Sequence, residues 1–351
     1  MAKEITMQDV AEYANVSVAT VSRVLNQTGK VKEDTRARVM DAISTLGFVQ
    51  NVSVRSVADT LGREQARQNS LILLLSSDGA HRFDVVLSSA ITKQALRRGY
   101  QTVYLPLRVA NVEWERVEDI LIRLAPAGII ITTQAMPCAP VLELAKRFPT
   151  VICSSLIDEI NEAGIAGVTI DNYSATYAAT KYLLSIGHRK LAYIGNHSSF
   201  AYSRQRMAGF HAAMKESGLP VRADWTFQLF SADYFLAEEA AKELFKNEEL
   251  PDAVLCCADV FGMAVVNVAG QFGIRVPQDL SVIGFDDLDI ASMTTPALTT
   301  VAQPVVKLAS QACELLLEEI GNGTARNRRV ILPTDLVIRN STGPKDGAAS
   351  R

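Results

Sequence analysis

Short, uninterrupted apolar runs alternating with longer stretches of helical periodicity constrain this 351-residue chain more than any other feature. The runs lie at 71–75, 128–131, 151–152, 191–194, 253–255 and 280–283. Strands apolar at successive positions are buried on both faces, as in parallel sheets. Helical patterns lie between them, at 173–186, 203–217, 233–247 and 259–273. Neighbouring parallel strands need a long crossover, usually a helix. Strand–helix alternation from Ser70 to near the C-terminus therefore predicts doubly wound α/β sheets, and the length suits two of them. Ligands in such sheets bind outside the carboxyl ends of the strands.

Several classes are disfavoured. Hydrophobic residues make up 48%, enough for a sizeable core. No run of about 18 apolar residues is present, so no membrane span is expected. The first 30 residues hold no signal-peptide apolar region, and a cytoplasmic location without membrane partners is expected. Cys138, Cys153, Cys256, Cys257 and Cys313 lack C-x-x-C spacing, which argues against a disulfide framework or a zinc site. Cys256-Cys257 closes an apolar run and reads as a pair of buried strand thiols rather than a redox site. No glycine-rich dinucleotide fingerprint, P-loop or nucleophile elbow occurs, so neither catalysis nor a cofactor is expected. Asp286-Asp287-Leu288-Asp289 resembles a metal or catalytic cluster, but no histidine or further acid joins it at ligand spacing.

The first 50 residues read as three short helices. Thr6 can cap the first, with Asp9 as the reciprocal acceptor, over an inner stripe of Val10, Ala11 and Ala14. Asn15-Val16 make a tight turn. Ser17 caps a second helix, 18–25, with Val21, Val24 and Leu25 inward. The third, 33–46, buries Val39, Ile43 and Leu46, and Gly47 ends it. Two short helices on a tight turn, closed by a third, describe a helix-turn-helix. The outward face of the second helix carries Val18, Ala19, Ser22, Arg23 and Asn26. A solvated face more often carries Glu and Lys, whereas a major groove needs small residues and a base reader. The alternative is a plain three-helix bundle. Net charge is −3, yet residues 16–40 hold five basic side chains against two acidic, while 70–351 hold 26 basic against 30 acidic. Positive charge is thus concentrated where a phosphate backbone would be met.

The chain resembles the lactose-repressor/galactose-repressor family. The likeness begins with Thr6-Met7-Gln8-Asp9-Val10-Ala11 and the run 16–26. It resumes at Asp171-Asn172, Gly187-His188-Arg189, Arg206-Met207-Ala208-Gly209-Phe210, the run 276–287 and Pro296-Ala297-Leu298-Thr299-Thr300-Val301. It covers residues 5 to about 342, with the motifs in family order. The resemblance implies a helix-turn-helix headpiece (1–50) and a hinge helix or linker (51–69). Behind them it implies a periplasmic-binding-protein-like α/β core (70–343) and a tail (344–351). The core would have two doubly wound parallel-sheet subdomains, lobe 1 at about 70–170 and 303–329 and lobe 2 at about 171–302 and 330–343. Crossings between lobes are expected near Asp171, near Ala302-Gln303 and at 328–331.

Carried over residue by residue, Val18 and Ala19 would read bases and Arg23 would reach a base edge. Thr6, Ser17, Thr20, Ser22, Asn26 and Thr35 would hold phosphates, or simply cap helices. Lys32 replaces the serine that often caps the third helix in the family and supplies a phosphate partner. The hinge departs from the pattern: Gln50 replaces a proline, and the segment before Ser70 is longer. Leu61, or Val57 by simple counting, would wedge into the minor groove. In the effector cleft, Arg206 would clamp ligand oxygens and Asp286 would accept ligand hydroxyls. Asp259 would touch ligand or cap its helix; Asp78 and Phe83 follow the first strand, the aromatic stacking on a sugar or packing. Ser154 and Ala258, where acidic and asparagine residues are common, point to a less hydroxyl-rich ligand. The implied partners are near-palindromic operator DNA, a small polar effector and a second copy of the chain, in a dimer without a tetramerising tail. The rival binding reading is a solute-binding protein for uptake; the rival enzyme reading predicts turnover.

Overall fold

A computed structural model describes residues 6–25, 31–46, 70–77, 82–107, 114–132, 138–154 and 163–345. The chain divides into two compact units, 1–68 and 69–351.

In the first unit, α1 (Met7–Tyr13), α2 (Val18–Leu25) and α3 (Glu33–Leu46) pack around Val10, Ala11, Ala14, Val21, Val24, Val39 and Ala42. Such a small core depends on each member: burying one valine contributes about 1.5–3 kcal/mol. The start of α1 is fixed by a capping box. The Thr6 hydroxyl accepts from the Asp9 amide at 3.3 Å, and the Asp9 carboxylate accepts from the Thr6 amide at 2.7 Å. Asn15 adopts φ 52° in the turn, a conformation asparagine tolerates. Ser17 then accepts from the Thr20 amide at 3.2 Å, capping α2.

In the second unit, the expected alternation appears as β1 (Leu71–Ser77), α4 (Arg82–Arg97), β2 (Gln101–Leu107), α5 (Trp114–Leu124), β3 (Gly128–Ile131), α6 (Cys138–Arg147), β4 (Thr150–Cys153) and β5 (Ala166–Ile170). A second series follows: α7 (Asn172–Ser185), β6 (Leu191–Asn196), α8 (Ala201–Glu216), β7 (Thr226–Leu229), α9 (Tyr234–Leu244), β8 (Ala253–Cys256), α10 (Asp259–Gln271), β9 (Ser281–Asp286), α11 (Asp289–Met293) and β10 (Thr299–Ala302). The chain closes with α12 (Val305–Asn322), β11 (Arg329–Leu332) and β12 (Asp335–Val337).

Among the described residues these strands form two six-stranded sheets, β2-β1-β3-β4-β5-β11 and β7-β6-β8-β9-β10-β12. Only β12 runs antiparallel to its neighbour. Alternation within each strand sends side chains to both faces. In the first sheet Ile72, Leu74 and Ile130 join one buried cluster with α4 and α12, while Leu73, Leu75, Ile129 and Ile131 join another with α5 and α6.

Three crossings join the lobes. The chain leaves the first sheet after Ile170, returns after Ala302, and crosses again between Leu332 and Asp335. The last crossing corrects the expectation of 328–331 and the lobe boundary at 329/330. Arg329–Leu332 pairs parallel with β5 in the first sheet, and only β12 belongs to the second. At an edge, β11 alternates exposed and half-buried, so no apolar run marks it. Pro333 marks the break instead, since proline donates nothing to a ladder.

Candidate functional site

Both sheets start their winding at their second strand in space, so β1/β3 and β6/β8 are the points where strand order reverses. In open α/β sheets such reversal points mark the crevice outside the carboxyl ends where ligands bind. In the second lobe, β6 ends at Asn196, β8 at Cys256 and β9 at Asp286, and α8 projects Arg206 towards the same place.

Arg206 is 4% exposed and tightly oriented. Its Nε donates to Asn172 Oδ1 at 2.8 Å, and one terminal nitrogen donates to the Cys257 carbonyl at 2.6 Å. The guanidinium lies 3.5 Å from the Phe285 ring centroid and 4.9 Å from that of Tyr202. Aromatic faces hold a planar cation without satisfying its N–H groups. The other terminal nitrogen makes no hydrogen bond among the described residues. The nitrogen that serves Cys257 lies 4.0 Å from Asp286 Oδ1, beyond hydrogen-bond range.

Asp286 and Asp287 have φ of 115° and 56°, both in the region L-residues rarely adopt. Adjacent strained residues persist only where the surroundings hold them, commonly at functional sites. Gln303 donates to Asp286 at 2.6 Å, and Arg339 donates to Asp287 at 2.6 Å. Burial pushes the Asp286 carboxyl up to about 7; Arg206 and the Gln303 hydrogen bond oppose the rise, and Asp84 adds to it. Asp84, on the first turn of α4, therefore bears on this crevice from the first lobe.

The expectation that Asp259 touches ligand or caps its helix is corrected. The N-cap position is Ala258, and Asp259 is fully buried. Its carboxylate accepts from the Leu288 amide at 2.7 Å and the Thr300 hydroxyl at 2.5 Å. It braces the turn that presents Asp286, and burial raises its pKa well above the usual carboxylate range. Gly284 makes this possible: a Cβ there would collide with the Asp259 carboxylate and stand 2.6 Å from Leu298. Phe83 is 7% exposed and packs with Leu87 and Ile91, so its aromatic ring serves the core. Asp78 lies outside the described residues. Cys256 and Cys257 are buried, and burial raises both thiols; Cys257 reaches about 12.

Sequence reasoning missed Asn172, Tyr202 and Gln303 as partners of Arg206 and Asp286. Asn172 stood in a quoted motif and Gln303 at an expected crossing; no pattern marked Tyr202. His188, in another motif, is structural: its Nε2 lies 3.1 Å from the Gly343 carbonyl and ties the C-terminal segment to the second lobe.

On the first unit, Ser17, Val18, Ala19 and Arg23 are exposed and Thr20 and Ser22 half-buried; Val18 is an exposed apolar residue at the helix start. Thr6 is exposed at the start of α1. The Lys32 carbonyl accepts from the Thr35 and Arg36 amides, each at 3.0 Å, so its backbone begins α3. Asn26, Val57 and Leu61 lie outside the described residues.

A helix-turn-helix unit and a two-lobed core with a polar crevice at its strand ends define a regulator that couples nucleic-acid binding to a small molecule. Comparison with known proteins agrees. Residues 6–51 match the lacI family of bacterial regulatory proteins, and 180–342 match a periplasmic binding protein-like domain. The chain is 30% identical to the HTH-type transcriptional regulator DegA of Bacillus subtilis, over 97% of this chain and 98% of that protein. It is 30% identical to the HTH-type transcriptional repressor PurR of Photobacterium profundum, over 96% and 98% respectively. A solved lac repressor dimer bound to operator and the anti-inducer ONPF superposes with a TM-score of 0.70 at 25% identity, covering 97% of this chain and 100% of that one. A CelR–cellobiose complex gives 0.69 at 27% identity, covering 96% and 99%. The chain belongs to the lacI family of bacterial regulatory proteins; it is a ligand-modulated, DNA-binding transcription regulator and not an enzyme.

Proposed function

We propose that this regulator is a repressor whose operator affinity is switched by a small polar metabolite held between the two lobes. The observation that carries the reading is the oriented Arg206 beside a strained Asp286, 4.0 Å apart at the carboxyl ends of the second sheet. A ligand oxygen fits between them, accepting from the guanidinium and donating its hydroxyl proton to the carboxylate. Sugars, sugar derivatives and nucleosides present such hydroxyls. The CelR–cellobiose complex supports this ligand class, and the repressor PurR among the relatives supports the repressor role.

On the DNA side, Val18 and Ala19 at the start of α2 and Arg23 near its end face the major groove. Thr6, Ser17, Thr20, Ser22, Asn26, Lys32 and Thr35 meet phosphates, and Leu61, with Val57 the alternative, wedges into the minor groove. Ser17 caps α2 and can still turn its hydroxyl proton to a phosphate when Thr20 is the donor between them, whereas the Thr6 hydroxyl gives its proton to Asp9 and must exchange that bond to meet one. Two copies read a near-palindrome with half-sites about one helical turn apart. The operator-bound lac repressor dimer supports that arrangement. A bacterial regulator that acts on DNA works in the cytoplasm, and among the described residues no helix is long and apolar enough to cross a membrane.

A ligand shifts the switch only by its differential affinity for the two lobe arrangements, typically about 1–3 kcal/mol. A thermal-shift screen of pentoses, hexoses, nucleosides and sugar phosphates tests the cleft. The expected hit stabilises the chain, changes operator affinity, and is lost in Arg206→Ala and Asp286→Ala. A hit that both variants bind normally refutes the assignment.

A further inference from the structure

Both charged groups of the cleft are hydrogen-bonded to places where the chain passes between lobes. Asn172 is the first residue of α7, directly after the first crossing. It is 3% exposed, and its Oδ1 accepts from Arg206 Nε at 2.8 Å. Asp171 caps α7 by accepting from the Ser174 amide at 2.9 Å, which fixes Asn172 relative to the crossing. Gln303 is the first residue of the second crossing. β10 runs parallel beside β9 with Ala302 level with Asp286, so Gln303 stands one residue past the cleft acid. Gln303 is buried, and its Nε2 donates to Asp286 Oδ1 at 2.6 Å.

Rotation of one lobe against the other turns backbone at the crossings, where hinge residues absorb the change of angle. Short hydrogen bonds pass that turn to the groups they hold, and pass a displacement of those groups back. A cavity of about 260 Å³ lies alongside, lined by Asp171 and Ala175 near the first crossing, Val301 before the second and Pro333 at the third. Close-packed interiors yield little, and this space lets the crossing segments shift without overpacking the core. Neither bond alone holds the charged groups in place. Arg206 also has the Cys257 carbonyl and the Phe285 and Tyr202 rings, and Asp286 also has the turn braced by Asp259.

We propose, resting on the cleft reading above, that Asn172 and Gln303 are positioning residues for the effector response: through them, occupancy of Arg206 and Asp286 biases the lobe arrangement and hence operator affinity. Coupling of this kind is a free energy between two sites, separate from the affinity of either one.

The response at saturation separates such a role from a structural one. Full-length protein is bound to a duplex selected from a random pool, with and without D-ribose, D-glucose, cellobiose, adenosine or glucose 6-phosphate. The probe that changes wild-type affinity most is carried to the variants. At saturating probe, Asn172→Ala and Gln303→Met should each keep at most one third of the wild-type fold change in duplex affinity. The probe should still saturate both, with a Kd no more than tenfold higher. Asn172→Asp keeps the acceptor for Arg206 and should retain at least two thirds of the response. Ser174→Ala loosens the same crossing by removing the hydroxyl that donates to Asp171 at 2.7 Å, touches neither cleft group, and should respond as wild type. A full response in Asn172→Ala and Gln303→Met, an equal loss in Ser174→Ala, or loss of probe binding together with the response would each overturn the proposal. A wild type unmoved by every probe would refute the cleft reading and this inference with it; a responding wild type with equally responding variants would refute the coupling alone. Circular dichroism confirms that each variant is folded, and should Asn172→Ala fail to fold, Gln303→Met decides.

Discussion

In the proposed cleft Asp286 would serve two demands that conflict. Burial favours its neutral form, whereas accepting ligand hydroxyls requires the carboxylate. With its carboxyl pushed from 3.8 up to about 7, the folded protein keeps a proton that the unfolded chain has released. The stability from this group is fully present below the unfolded value and is lost as pH rises through about 7. Unliganded wild type should therefore lose stability relative to Asp286→Asn between pH 5 and pH 7.5, as measured by urea denaturation. An equal difference at both pH values would place the proton elsewhere. A polyol effector should conversely bind more tightly as pH rises through 7. Asp259 acts one step behind. Asp259→Ala strands the Leu288 amide and the Thr300 hydroxyl, and should cost about 1–3 kcal/mol of folding stability. Chemical denaturation measures that loss, and weaker effector binding should accompany it because the Asp286 turn loses its brace.

At the scale of elements, helix starts and helix contacts carry the testable content. The Ser17 hydroxyl caps α2, so Ser17→Ala should cost the first unit about 0.5–2 kcal/mol, read by thermal melting of the helical signal. No change would mean the cap contributes little. Gly209 sits where α8 crosses α7, and a Cβ there would collide with the Tyr173 carbonyl. Gly209→Ala should force the helices apart and destabilise the core by about 1–3 kcal/mol, a typical overpacking cost. An unaffected urea midpoint would show that the two helices can yield. Arg206 lies one turn earlier on the same helix, so the substitution should also weaken effector binding.

Across the whole molecule, the two compact units, 1–68 and 69–351, should melt separately. Calorimetry should show two transitions, with an effector raising only that of residues 69–351, by an amount set by its concentration relative to Kd. A single transition shifted as one would make the chain one cooperative body. The two-unit plan and the α/β class were legible in advance. Apolar runs buried on both faces admit few alternatives to parallel strands, and the family motifs fall in order. The third crossing was not legible, because β11 is a four-residue edge strand alternating between exposed and half-buried. An edge strand is defined by the neighbour it pairs with, and pairing is non-local.

The same division holds at the site. The family resemblance marked Arg206, and local patterns in the sequence determined the capping residues Thr6 and Ser17, the small outward face of α2, and the place of Asp286 after a buried strand. These depend on periodicity and on chemistry within a few residues. Only the tertiary structure decided that Asp259 faces inward, that Phe83 packs, and that Asn172, Phe285 and Gln303 orient the two charged groups. Those outcomes depend on which side chains meet across separate strands and helices, and a buried carboxylate takes whichever donors that meeting supplies.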